Sequence, residues 1–184
     1  MNEADTRAEL IDPQLKDAGW VTGGDVLVQR EYNINAGEIK PGGIRAGQLK
    51  ADYVLSYKNR KLAVVEAKSD ELEVGEGVAQ AKIYAQKLNL KFTYSANGKE
   101  IYQIDMNGSE GDVQSFPSPE ELWKKTFGDS NEWQDNFDAV PFEDQNGVKQ
   151  PRYYQELAVN KAMEAIAAGK DRILLNLATG TGKT

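Results

Sequence analysis

The fold is decided by residues 51–84, ADYVLSYKNRKLAVVEAKSDELEVGEGVAQAKIY, where two apolar strands precede a helix. Residues 51–57 and 61–67 are rich in Val, Leu, Tyr and Ala, and the polar residues 58–60 between them indicate a hairpin turn. The second strand is apolar on both faces at its start, so we expect a central strand that is covered on both sides. The stretch predicts an α/β fold.

Three charged residues, Asp52, Glu66 and Lys68, lie at one end of this hairpin. A three-residue loop sets Asp52 directly opposite Glu66, with Cβ atoms about 5 Å apart. Two carboxylates at that separation repel each other, and a divalent cation reverses the sign of the interaction. Lys68 is then placed to orient or deprotonate a water beside the metal. Carboxylates with open water positions suit Mg²⁺, and Mg²⁺ suits phosphodiester hydrolysis.

The spacing of these residues resembles a known nuclease core. Asp52, thirteen further residues and then Glu66-Ala67-Lys68 are similar to the Asp…Glu-x-Lys core of the restriction-endonuclease-like superfamily. The resemblance implies that Asp52 and Glu66 bind Mg²⁺ with the Ala67 carbonyl as a third ligand. It also implies that Lys68 acts on the attacking water and stabilises negative charge at phosphorus.

Two helices carry further candidate residues. Gln80-x-x-x-Tyr84 resembles an element in the nuclease domains of type I restriction enzyme motor subunits, and its i, i+4 spacing puts both side chains on one helix face. The resemblance implies that they orient the site or the DNA, while a core position is the alternative for Tyr84. On a first helix at residues 3–18, Glu9 matches an acidic residue that approaches the metal. The alternative for Glu9 is a capping box with Thr6.

Composition excludes several classes of site. The 184 residues contain no Cys and no His, which excludes a disulfide framework, zinc sites built on those ligands and any hydrolase with a His base. There is no secretory signal and no apolar run of membrane-spanning length, so we expect a cytoplasmic protein without membrane contact. The net charge of −7 predicts weak binding to DNA by this chain alone, with DNA held by other domains or subunits.

The end of the chain carries a second motif. A helix opening at Arg152 and ending at Gly169 precedes an apolar segment, residues 172–177, that predicts a buried strand. The sequence Ala-Thr-Gly-Thr-Gly-Lys-Thr follows at 178–184 and predicts a phosphate-binding loop. It resembles the loop of superfamily 2 helicases and translocases, with Leu177 at the usual first glycine. The resemblance implies an ATP site formed by the adenine-reading Gln155 and by Gly180, Thr181, Gly182, Lys183 and Thr184.

Together the motifs predict a restriction-endonuclease-like mixed β-sheet of about five strands flanked by helices, followed by the first helix, strand and P-loop of a RecA-like motor domain. We expect an endonuclease domain at 1–127, a linker at 128–147 and the start of the motor at 148–184.

This order resembles the R subunit of a type I restriction enzyme. The resemblance implies an ATP-dependent enzyme that acts with methyltransferase (M) and specificity (S) subunits, translocates double-stranded DNA and cuts it when it is unmodified. Two alternatives stay open, namely another helicase-nuclease fusion of defence or repair and a catalytically inactive docking module with a nuclease fold.

Overall fold

The computed structural model describes residues 1–34, 49–128 and 152–177. The chain divides into two compact units, Met1–Asp129 and Ser130–Thr184, which are described separately. The predicted phosphate-binding residues 180–184 and all of the predicted linker except Gly128 lie outside the described residues. The boundaries at 127 and 147 stay predictions.

A six-stranded mixed sheet forms the first unit, with its strands side by side in chain order. The strands are β1 (Val26–Asn33), β2 (Lys50–Tyr57), β3 (Arg60–Ala67), β4 (Phe92–Ala96), β5 (Ile101–Asp105) and β6 (Glu110–Val113); the helices are α1 (Glu3–Thr6), α2 (Asp12–Asp17), α3 (Val78–Leu88) and α4 (Pro119–Phe127). All neighbouring strands are antiparallel except β3 and β4, which are parallel because α3 connects them. The α/β prediction is confirmed, although β6 is one strand more than expected.

The hairpin of β2 and β3 reaches the predicted register by a different route. Its turn has two residues, Lys58-Asn59, rather than three, and both have positive φ (48° and 59°), as in a type I′ turn. That turn pairs Tyr57 with Arg60, one residue out of the predicted register. A β-bulge then leaves Leu62 unpaired, and the predicted register is restored beyond it.

Apolar layers cover both faces of the sheet. One layer packs against the first helical segments and α4 and includes Ile11, Leu15, Trp20, Tyr53, Leu55, Leu62, Val65, Leu122 and Trp123; the other lies under α3 and includes Val54, Val64, Tyr84, Ala85 and Leu90. β3 is therefore central and covered on both sides, as predicted. Leu62 and Val64 lie in different layers although they are two residues apart, because the bulge at Leu62 interrupts the alternation of the strand.

A π-helical turn, Arg7–Ile11, connects α1 to α2 within the predicted first helix. Pro13 lies two residues after it; proline lacks an N–H and its ring excludes the carbonyl four residues earlier. The wider turn accommodates that defect, and the Asp12 N–H donates to the carbonyl of Arg7, five residues back. Arg7 is therefore the first residue of a turn that is one residue wider than a turn of a regular α-helix.

The first helix begins earlier than its predicted capping box. Asn2 is the N-cap, and its side-chain oxygen accepts the Asp5 N–H at 2.8 Å. Thr6 is buried inside the helix, where its hydroxyl donates to the Asn2 carbonyl and accepts the Asp70 N–H. The predicted capping box of Thr6 and Glu9 is therefore wrong, because a stronger N-cap residue lies four positions upstream.

The second unit contains the predicted helix but not the predicted strand. Helix α5 (Tyr153–Ala167) ends before Gly169, whose φ of +69° stops it. Residues 172–177 form no strand, and Leu174 is 92% exposed. A buried parallel strand requires neighbouring strands to pair with, and the described part of this unit contains none. Among the described helices, none combines the length and apolarity needed to traverse a bilayer.

Candidate active site

Asp52 and Glu66 face each other at one end of the β2–β3 hairpin. Tyr53 pairs with Val65, so the register sets the preceding Asp52 opposite the following Glu66. Asp52 Oδ2 accepts the Ala67 N–H at 2.9 Å, which ties this carboxylate to β3. The structure therefore brings together the two acidic residues that the sequence pattern paired.

A chain of hydrogen bonds continues from Glu66 to α3. Lys68 Nζ donates to Glu66 Oε1 at 2.9 Å and to Gln80 Oε1 at 3.3 Å. Gln80 Nε2 donates to the Tyr84 hydroxyl at 2.7 Å. Four side chains from a strand end and the facing helix therefore form one connected group. The ring of Tyr84 is buried in the core, while its hydroxyl ends the chain of hydrogen bonds, so its part in orienting the site stays a prediction.

The 3₁₀ turn Val74–Gly77 holds the start of α3 against the sheet. The Ser95 hydroxyl on β4 donates to the Val74 carbonyl. A Cβ at Gly77 would overlap the Ser95 hydroxyl oxygen and lie 3.3 Å from Glu66 Cγ. Only glycine permits this approach, and the approach places the first turns of α3 directly over Glu66 and Lys68.

Burial disfavours the ionised form of Glu66. Its side chain is only 3% exposed. Desolvation first, and the negative charge of Asp52 second, raise the pKa of Glu66 to about 7, against the opposing hydrogen bond from Lys68. Burial lowers the pKa of Lys68, but the hydrogen bond and charge of Glu66 outweigh it, so that this pKa is raised. Lys68 is therefore a cationic hydrogen-bond donor in the metal-free site.

Sequence reasoning missed Arg7 and Glu31. Arg7 Nη1 donates to Asp52 Oδ1 at 2.9 Å, and Arg7 Nη2 donates to Glu31 Oε1 at 3.2 Å. Glu31 also forms an ion pair with Lys50. No local sequence pattern predicts these contacts, since Arg7 and Asp52 are 45 positions apart in the chain. The π turn and the β1–β2 pairing bring them together.

Glu9 does not join this group. It is exposed, and among the described residues it makes no hydrogen bond or ion pair with Asp52, Glu66 or Lys68. The acidic residue of the first helix that acts on the site is Glu3, one turn before Arg7; its charge adds to the effects of burial and of Asp52 on the pKa of Glu66. The role of Glu9 at the metal stays a prediction, which the exposed position of its side chain does not favour.

The donor set fits a divalent cation. Glu66 Oε2 is buried without a hydrogen-bond partner, and a cation at that oxygen would relieve its desolvation. Asp52 provides a second carboxylate directly opposite. No group of three or more Asp, Glu, Cys or His side chains suited to a metal occurs in the ranges 1–34, 49–128 and 152–177. A metal here would take its other ligands from carbonyl and water oxygens, which Mg²⁺ accepts.

Comparisons with known proteins show which family the chain resembles. Residues 30–119 match the family described as the second domain of the type I restriction enzyme EcoKI endonuclease subunit. The whole chain aligns with the EcoAI endonuclease subunit of Escherichia coli at 34% identity, over 24% of that protein. It also matches the fragment structure of a putative HsdR subunit of a type I restriction enzyme from Vibrio vulnificus YJ016, with 38% identity, a TM-score of 0.77, all of this chain covered and 36% of that one.

The chain belongs to the family of type I restriction enzyme endonuclease subunits. A second relative, the EcoKI endonuclease subunit of Escherichia coli strain K12, is 28% identical over 95% of this chain. The chain spans about a quarter or less of these curated relatives, 24% and 20% of their lengths.

The predicted nucleotide site lies at the other end of this family member. Residues 148–184 match the family described as the res subunit of type III restriction enzymes. Gln155 lies in the first turn of α5, where its side-chain oxygen accepts the Arg152 N–H at 3.0 Å. The residues from Gly180 to Thr184 lie outside the described ranges, so their role in ATP binding stays a prediction.

Proposed function

We propose that the first unit is the Mg²⁺-dependent endonuclease part of a type I restriction R subunit, which cuts unmodified double-stranded DNA. The observation that supports this most is the hydrogen-bonded group of Glu66, Lys68, Gln80 and Tyr84 opposite Asp52, in which one buried carboxylate oxygen of Glu66 has no hydrogen-bond partner among the described residues. A rim of solvated charges would not leave a carboxylate buried in this way.

Three groups of this chain would hold the metal. Asp52 and Glu66 supply carboxylate oxygens, and the Ala67 carbonyl supplies a third, since the Ala67 N–H already points toward Asp52. Bound Mg²⁺ would supply Lewis-acid activation of a phosphodiester and of a water. The metal's positive charge would also favour the ionised form of Glu66, whose pKa is raised by burial in the metal-free state.

Lys68 would act on the negative charge of the reacting phosphodiester. Its ammonium group sits between Glu66 and Gln80, so that two hydrogen bonds set its direction. A third N–H of the ammonium is then available for a phosphate oxygen or the attacking water. Gln80 in turn is held by Tyr84, and these two residues act as positioning residues for Lys68.

The second unit would begin the ATP-dependent motor. Gln155 would read the adenine, and Gly180, Thr181, Gly182, Lys183 and Thr184 would hold the phosphates and Mg²⁺. The match of residues 148–184 to another restriction family supports this. The alignment of the whole chain with 24% of the EcoAI endonuclease subunit favours an R subunit over other helicase-nuclease fusions.

The acidic character of the chain suggests how DNA reaches the site. A net charge of −7 releases few counterions from DNA, so the chain would bind duplex weakly by itself. We infer that the motor and the partner M and S subunits hold the DNA and present it to this domain.

The test uses the full-length subunit assembled with its M and S partners, acting on unmodified circular DNA with Mg²⁺ and ATP. Cleavage and ATP hydrolysis are measured together for wild type, Lys68→Ala and the matched control Lys82→Ala. Lys82 is a lysine on α3 that forms an ion pair with Glu110 rather than with Glu66. We expect Lys68→Ala to abolish cleavage while hydrolysis continues, and Lys82→Ala to behave as wild type.

Two results would overturn the proposal. Wild-type complex that hydrolyses ATP without cutting DNA would favour the docking-module alternative. A Lys68→Ala complex that cuts as well as wild type would remove Lys68 from the nuclease centre.

A further inference from the structure

Arg7 bridges two carboxylates beside the candidate metal position. Its guanidinium donates to Asp52 at 2.9 Å through Nη1 and to Glu31 at 3.2 Å through Nη2. Glu31 lies opposite Asp52 in the β1–β2 register, between the pairs Arg30–Tyr53 and Tyr32–Ala51. The register therefore sets Glu31, Asp52 and Glu66 in one row across three strands, with Arg7 between the first two.

Glu31 is held in this place at a conformational cost. Its φ is +53°, a left-handed value that is uncommon for a residue other than glycine and unusual within a strand. Such strain persists where surrounding contacts over-determine it, and it concentrates at functional sites. Lys50 pairs with the second carboxylate oxygen of Glu31, which leaves the first one to Arg7.

Each of the two proposed carboxylate ligands is paired with a cation of the chain. Lys68 is paired with Glu66 and Arg7 is paired with Asp52, so two cations neutralise the two proposed ligands. Arg7 Nη1 lies 2.9 Å from Asp52 Oδ1, so a divalent cation bound to Asp52 would lie close to the Arg7 guanidinium. The two positive charges would repel each other, and the mostly buried side chains of Arg7 and Asp52 limit screening by solvent. Binding of the metal to Asp52 therefore competes with the ion pair between Arg7 and Asp52.

We propose that Arg7 is a resident cation that competes with the divalent metal for Asp52, and that Glu31 receives the guanidinium when the metal binds. This rests on the proposed nuclease function and adds to it a control on metal loading. Arg7 reaches both carboxylates already, so the transfer requires a side-chain rotation of a partly exposed residue and no movement of the backbone.

Mn²⁺ binding measures this competition without any cleavage assay. The probe is Mn²⁺, which takes the same oxygen ligands as Mg²⁺, and its free concentration is read by electron paramagnetic resonance with full-length subunit and no nucleotide. A Glu66→Ala variant measures binding at other sites, which is subtracted. We expect Arg7→Gln to lower the dissociation constant about tenfold, while Arg7→Lys, which keeps the positive charge, should lower it less.

Substitution of Glu31 provides a second test of the competition. Glu31→Gln removes the alternative partner of Arg7 and should weaken Mn²⁺ binding several-fold, and most of that weakening should disappear in the Arg7→Gln background. Because Glu31 is half exposed, unchanged Mn²⁺ binding by Glu31→Gln overturns the inference even where Arg7→Gln does not fold. A double-mutant cycle separates the effect through Arg7 from the simple loss of a negative charge.

The outcomes distinguish this inference from the proposed function. Wild type that binds Mn²⁺, with equal or weaker binding by Arg7→Gln or unchanged binding by Glu31→Gln, overturns the competition and leaves the nuclease proposal standing. Absence of Mn²⁺ binding at the Glu66-dependent site in both wild type and Arg7→Gln overturns both proposals.

Discussion

Gly77 in the 3₁₀ turn before α3 lies so close to Ser95 on β4 that a single added side-chain atom would overlap the Ser95 hydroxyl oxygen. The same added atom would lie 3.3 Å from Glu66 Cγ. The distance between α3 and the candidate active site is therefore set by the absence of a side chain at this one position.

Gly77→Ala should destabilise the first unit by about 1 to 3 kcal/mol, because the turn must move away from β4. The movement carries Gln80 away from Lys68, so DNA cleavage by the assembled enzyme should fall while ATP hydrolysis persists. Urea unfolding and the two activity assays check this. Gly75→Ala is the matched control, since nothing lies within 4 Å of a Cβ at Gly75. Equal effects at both glycines would contradict the close-approach explanation.

The stability of the chain should depend on pH through Glu66. The pKa of Glu66 is about 7 in the folded chain against 4.5 for an ordinary glutamate, mainly through burial. The folded state therefore binds more protons than the unfolded state between these values, and stability should fall as the pH rises through this window. We expect a loss of about 2 to 3 kcal/mol, allowing for solvent screening, in the unfolding free energy measured in urea.

Glu66→Gln removes this titration and serves as the comparison. The variant should lose much less stability than wild type between pH 4.5 and pH 7 and should be the more stable protein at pH 8. Unfolding free energies that fall in parallel with pH for the two proteins would show that other groups cause the dependence.

Tyr84→Phe should lower cleavage by roughly tenfold, because Gln80 loses the hydroxyl that orients it and Lys68 then loses a fixed partner. ATP hydrolysis should not change. Tyr102→Phe is the control, since the Tyr102 hydroxyl makes no hydrogen bond within the described ranges and the residue lies on β5, away from Lys68. Rates are measured under single-turnover conditions. Normal cleavage by Tyr84→Phe would make Tyr84 a core residue only.

The type I′ turn of the hairpin predicts opposite effects of two substitutions at Asn59. Its φ is +59°, which glycine adopts without strain and alanine does not. Asn59→Gly should leave stability within about 0.5 kcal/mol of wild type, and Asn59→Ala should lower it by about 1 kcal/mol. Urea unfolding measures both. Equal stability of the two variants would indicate that the turn is not type I′ in solution.

The sequence by itself predicted the order of the first five strands and singled out the residues that the structure brings together at the candidate site. Apolar runs on either side of a polar turn predicted β2 and β3, and the i, i+4 spacing of Gln80 and Tyr84 put these two residues on one helix face, because both properties depend on neighbours close in the chain. The weakly patterned β6, with the sequence Glu-Gly-Asp-Val, carried no such local signal.

Tertiary structure decided the rest, because register, long-range pairing and burial depend on residues far apart in the chain. Asp52 faces Glu66 only because a two-residue turn and the bulge at Leu62 together give the register of a three-residue loop. Arg7 reaches Asp52 through a π turn, and no spacing along the chain reveals that contact. The apolar segment 172–177, which predicts a strand, forms none here, since strand formation requires neighbouring strands that local sequence cannot supply.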